Sequence, residues 1–174
     1  MKRNFLTSLA AMLLSLVVSI SSNGQLGVSN GQLSGDFASF EKSAVRIESS
    51  KVSQKAVKDL AKSFKNVSGE NWFEVKDGFV AMFDAEDIQY QVSYDKKGNW
   101  LFTIRSYRES KLPEDIRHMV KSTYYDYSIN LVQDVEKADT PIAYIIQLIG
   151  KTELIKLKIF DGEMQVLQTL NKSE

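Results

Sequence analysis

The chain has 174 residues, with 22 lysines and arginines against 22 aspartates and glutamates, one histidine and no cysteine. Balanced charge argues against nucleic acid or an anionic membrane as the main partner. The missing cysteines exclude disulfides and a thiolate nucleophile, and a lone histidine makes a zinc site or a Ser-His-Asp triad a poor fit.

Residues 1–24 have the layout of a secretory leader: Lys2 and Arg3, an apolar run from Leu9 to Ile20, then small residues at Ser22 and Gly24 before Gln25. The run is shorter than the roughly 20 residues of a spanning helix. Cleavage after Gly24 would leave about 150 residues, enough for one domain to bury a core without staples, with 20 basic and 22 acidic side chains. No transmembrane segment is expected after the leader is removed. Residues 25–50 begin as a flexible lead rich in Gly, Ser, Asn and Gln, and end with Phe37, Phe40, Val45 and Ile47, which suit either a short helix or a strand.

Residues 51–174 carry the regular pattern. Ser53 stands as an N-cap before Ala56, Val57, Leu60, Ala61 and Phe64, which share one helical face. Four strands are expected next: Trp72–Val75, Phe79–Phe83, Ile88–Tyr94 and Trp100–Tyr107. Asp77-Gly78 reads as a tight turn with positive φ, and Lys96-Lys97-Gly98 as the turn before Trp100. Pro113, with Glu114 and Asp115, opens a second helix at its first position; Ile116, Met119, Val120 and Tyr124 form its apolar stripe. Strands at Tyr127–Val135, Ile142–Ile149, Leu154–Phe160 and Met164–Thr169 follow, the last two joined by Asp161-Gly162.

This order predicts an α+β fold: a tandem repeat of a helix plus a four-stranded antiparallel meander (about 51–110 and 111–172), forming one curved sheet with both helices on one face. Val52, Ala56, Leu60 and Phe64 recur as Leu112, Ile116, Val120 and Tyr124 at a constant spacing of 60. If Val92 lies opposite Phe102, the aromatic and aliphatic set faces the helices. Gln89, Gln91, Thr103, Arg105 and Tyr107 then share the open face with Lys156 and Lys158, which the Asp161-Gly162 turn directs outward. These seven residues are the candidate partner-binding set, a basic, hydrogen-bonding surface suited to an acidic partner.

The strands bearing Trp72, Gly78-Phe79, Tyr94-Asp95 and Gly98-Asn99-Trp100, followed by Leu112-Pro113 and a helix reaching Tyr124 and Tyr127, resemble the PepSY-like proteins related in fold to the beta-lactamase inhibitory protein. That resemblance spans about residues 50–170. It implies a small exported bacterial domain, periplasmic or secreted, that binds a protein or peptide and has no established activity. Lactamase inhibition does not carry over, because the disulfides and enzyme-contacting loops of the inhibitor have no counterpart here.

Chemistry is sparse elsewhere. His118 falls beside the apolar stripe of the second helix as a surface residue. Asp84, Glu86 and Asp87 are oxygen donors of the kind calcium takes, and also an ordinary solvated acidic turn. Lys55, Lys58, Lys62 and Lys65 mark a solvated helix face. No catalytic, cofactor or metal residues are assigned. The leading expectation is a non-catalytic binding module, inhibitory or sensory; the alternative is a structural or self-associating protein of the cell envelope.

Overall fold

The structure, a computed structural model, describes residues 44–65, 67 and 69–172. The expected leader, and the lead as far as residue 43, lie outside the described residues. The chain forms β1 (Val45–Ile47), a 3-10 turn at Ser49–Lys51, α1 (Gln54–Ser63), β2 (Asn71–Val75), β3 (Gly78–Ala85), β4 (Ile88–Asp95) and β5 (Trp100–Tyr107). A second 3-10 turn at Glu109–Lys111 leads into α2 (Glu114–Thr123), β6 (Ser128–Glu136), β7 (Ala143–Ile149), β8 (Glu153–Phe160) and β9 (Glu163–Asn171). Among the described residues these strands make one nine-stranded sheet whose spatial order is the chain order. Val45 and Ile47 thus belong to a strand, which resolves the choice between helix and strand.

The two helices have matching frames. At the start of α1 the Val57 amide donates to Ser53 O (3.1 Å), and sixty residues on Arg117 donates to Pro113 O (2.9 Å). At the ends Phe64 donates to Leu60 O and Tyr124 to Val120 O, each at 2.9 Å. Pro113 occupies the N-cap, so Glu114 is the first helical residue; the extended ψ of 141° before a helix suits proline there. Ser53 is also an N-cap but does not cap with its side chain. Its hydroxyl donates to Lys97 O at 3.3 Å instead, tying α1 to the β4–β5 loop. Ala61, expected in the buried stripe, is exposed.

Cores form where the apolar stripes meet the sheet. Ala56 and Leu60 of α1 pack on Trp72, Ala81, Phe83, Val92 and Tyr94. Leu112 and Val120 pack on Tyr107, Ile129, Val132, Ile146, Leu148, Ile155, Leu157 and Ile159. A small helical residue, Ala56, thus faces bulky rings, whereas the α2 core is mostly branched aliphatic. Each fully buried aliphatic side chain contributes about 1.5–3 kcal/mol. Register puts both cores on the same face of the sheet. Val92 lies opposite Thr103 and Tyr107 opposite Val132, and direct partners in antiparallel strands point to one side.

Turn chemistry differs from the expectation at one hairpin. Val75 pairs with Gly78, so Lys76 and Asp77 are the loop residues, and neither Asp77 nor Gly78 has positive φ. Glycine is required there by crowding: a Cβ on Gly78 would lie 1.9 Å from Tyr94 O across the sheet. Positive φ at both loop residues, the mark of a primed turn, occurs at Glu86-Asp87 (51° and 62°) and at Asp161-Gly162 (52° and 77°).

Candidate docking face

The β4–β5 hairpin decides which residues line the open face. Its loop is closed by Asp95, whose carboxylate accepts from the amides of Lys97 and Asn99 (2.8 Å each) and from Asn99 Nδ2 (2.6 Å). The Asn99 bonds, with Lys97, hold the Asp95 carboxyl below the usual carboxylate range. Beyond the loop Tyr94 pairs with Trp100 while Ser93 pairs with Phe102, leaving Leu101 as an extra, bulged residue. Every side chain of β5 after Leu101 therefore points to the side opposite the one plain alternation assigns.

The consequence is a correction to the candidate set. Val92 faces Thr103, not Phe102, and Arg105 faces Tyr90, not Gln89. Thr103, Arg105 and Tyr107 lie on the helix side. Thr103 accepts from Trp100 Nε1 at 3.0 Å. Tyr107 is 3% exposed within the α2 core, and its hydroxyl donates to Asp134 Oδ2 at 2.8 Å. Arg105 Nε donates to Asp134 Oδ1 at 2.7 Å, and its Nη1 lies 3.5 Å from Glu136. Arg105 and Asp134 are direct partners on β5 and β6, so this buried group joins the two cores where the α1 and α2 halves of the sheet meet. Burial pushes the Asp134 carboxyl upward, opposed by its bonds to Arg105 and Tyr107, and burial with Asp134 alongside raises the Tyr107 phenol.

The other four candidates do reach the open face. Gln89 and Gln91 lie there with Ser93, and the bulge brings Phe102, Ile104 and Ser106 to join them. One row of direct partners crosses seven strands: Asp84, Gln89, Ser106, Gln133, Ile145, Lys158 and Gln165. Six of the seven are polar. Beside it runs a mainly apolar row of Met82, Gln91, Ile104, Val135 and Ala143, all buried, as are Ser106, Gln133 and Ile145 of the polar row. Within the polar row Gln133 Nε2 donates to Ser106 Oγ at 3.3 Å. Lys158 Nζ sits 5.4 Å from the Phe160 ring centre, and Lys156 lies one row along the same strand. Gln89 Oε1 has no hydrogen-bond partner, and an orphaned buried acceptor costs about 1–3 kcal/mol. Ser106 and Gln133 escaped sequence reasoning. Their signal was the apolar character of both parities of β5 (Trp100, Phe102 and Ile104 against Leu101 and Tyr107), which leaves its inward face undecided.

Of the other residues singled out in the sequence, His118, Glu86 and Asp87 fall away from this face. His118 is exposed on α2. Asp84 belongs to the polar row, and Glu86 and Asp87 form the β3–β4 turn. Among the described residues no group of three or more His, Asp or Glu side chains is arranged to hold a metal ion. Nor is any helix among them long and apolar enough to cross a membrane.

No protein-family model matches the chain, and no curated protein matches it in sequence. Solved structures do match. A BLIP-like protein from Bacteroides fragilis is 20% identical with a TM-score of 0.55, over 69% of this chain and 86% of that one. The chain has a BLIP-like fold. A DUF2874 family protein from Bacteroides ovatus aligns at 17% identity and a TM-score of 0.57, over 70% of this chain and 88% of that one. A candidate periplasmic protein from Bacteroides eggerthii, also 17% identical, aligns with a TM-score of 0.56 over 69% of this chain and 88% of its own.

Proposed function

We propose that this chain is an exported, non-catalytic binding module of the PepSY-like kind that docks a protein or peptide on the open face of its sheet. The observation that carries the reading is the polar row on the side away from both helices, exposed at Asp84 and Gln165, partly exposed at Gln89 and Lys158, and buried between them at Ser106, Gln133 and Ile145. Gln89, partly exposed, lies on this face with Gln91. Lys156 and Lys158 favour an acidic partner at the β8 end of the face. Duplication of a helix-plus-four-strand unit accounts for the matched bonding of α1 and α2 at a spacing of sixty residues. The BLIP-like fold and the leader pattern of residues 1–24 support export to the periplasm, and sparse acid–base chemistry around the single, exposed His118 supports a non-catalytic role.

Capture from an extracytoplasmic extract on the immobilised protein tests this. Lys158→Glu with Gln165→Glu, cross-strand neighbours on the open face, is expected to cut recovery of the partner by about tenfold or more. Lys58→Glu with Lys62→Glu on the exposed side of α1 is expected to leave it unchanged. Equal recovery by both variants would place docking elsewhere.

A further inference from the structure

The sheet ends in two unlike edges. β1 has three residues, while β9 has nine and, among the described residues, is the last strand of the sheet and is paired only with β8. Exposed edges in monomeric proteins are blunted by brevity, lysine, proline or a bulge, and β9 carries a bulge at Leu167 but neither brevity, lysine nor proline. Met164 to Asn171 is uncharged, and Val166 and Leu167 are 47% and 42% exposed. We propose that β9 pairs antiparallel with β9 of a second copy of this chain, about a two-fold axis between Leu167 and Gln168, so that two sheets become one.

The register follows from a bulge. Lys156 pairs with Gln168 and Leu157 with Val166, so Leu167 is an extra residue and the two ends of β9 have opposite parity. A two-fold axis perpendicular to the sheet preserves faces, so each residue must meet one that points to its own side. Centring the axis between Leu167 and Gln168 satisfies this along the whole strand. Val166 meets Thr169, Gln165 meets Leu170, and Met164 meets Asn171. At each end Glu163, the strand's single charge, meets the partner's Lys172. The Lys172 ammonium donates one bond to Gly150 O at 2.6 Å and keeps two donors for a carboxylate. Moving the axis by half a residue either way would set open-face residues against helix-face ones. The complementary ends, the matched faces and the open backbone of the same strand make a second copy the fitting occupant.

Sedimentation equilibrium of the processed, full-length exported protein across a range of concentrations reads the outcome. The expected result is a reversible monomer–dimer equilibrium. Val166→Lys with Leu167→Lys should yield a monomer whose melting temperature stays within a few degrees, since both side chains are exposed. Glu163→Lys alone should weaken association by about fivefold, and adding Lys172→Glu should restore it. A protein that stays monomeric at every concentration, or a dimer indifferent to the Val166 and Leu167 changes, would overturn the proposal. Failure of the Lys172 change to restore pairing would overturn the register.

Discussion

Asp134 and Gln133 are neighbours on β6, yet they belong to different parts of the protein. Asp134 points to the helix side, where it is nearly buried and holds Arg105 and Tyr107. Gln133 points to the other side, where it too is buried, and donates to Ser106 Oγ. One face of the sheet is committed to holding two cores together, and the other carries a polar row buried at its centre and accessible toward Asp84, Lys158 and Gln165. The same strands supply both. In a sheet with bulges, what a residue does depends on parity, and parity depends on a few irregular positions such as Leu101.

The largest effect should come from the helix face. Leu157 is fully buried in the α2 core, and Leu157→Ala should cost about 3 kcal/mol, lowering the melting temperature by roughly 10 °C. Thermal unfolding followed by circular dichroism measures this. Next comes Asp134→Ala, which strands the Tyr107 hydroxyl and leaves Arg105 with the more distant Glu136. Because Arg105 retains some solvent contact, a loss of about 2–3 kcal/mol is expected in urea unfolding. Gln133→Ala, one residue away on the opposite face, should cost only about 1 kcal/mol. If the two substitutions cost the same, the assignment of faces is wrong.

A smaller effect is tied to pH. The Asp95 carboxyl is held below its ordinary value of 3.8 by the Asn99 and Lys97 bonds. A group depressed on folding stabilises above its unfolded pKa and loses that contribution as pH falls through the folded value. Wild type and Asp95→Asn should therefore differ in melting temperature at pH 5 to 7, with wild type higher, and converge as the pH drops well below 3.8. Equal melting temperatures at pH 6 would show that the carboxylate does not organise the hairpin that sets the register.

Much of the fold was legible because its signals are local. Apolar spacing marked both helices, and the Asp161-Gly162 turn placed Lys156 and Lys158 correctly, while Pro113, read as the first helical residue, is the N-cap. Three of the seven binding-set residues were misplaced for a single reason. A bulge is a one-residue event whose energy lies in cross-strand contacts, and on β5 both parities carry bulky apolar groups, so alternation could not reveal it. Tyr107 illustrates the outcome. An aromatic beside an arginine suits a contact surface, but here both are anchored by Asp134, a partner twenty-nine residues from Arg105. Gly78 was marked as special, and it is, through the backbone of Tyr94 and not through its own φ.

The division between faces can be read directly by lysine footprinting of the protein with its captured partner bound. Acetylation rates at Lys156 and Lys158, on the open face, are compared with those at Lys58 and Lys62 on the exposed side of α1. The account predicts that the partner slows modification of Lys156 and Lys158 and leaves Lys58 and Lys62 unchanged. Protection confined to Lys58 and Lys62, with Lys156 and Lys158 reacting as in the free protein, would contradict it.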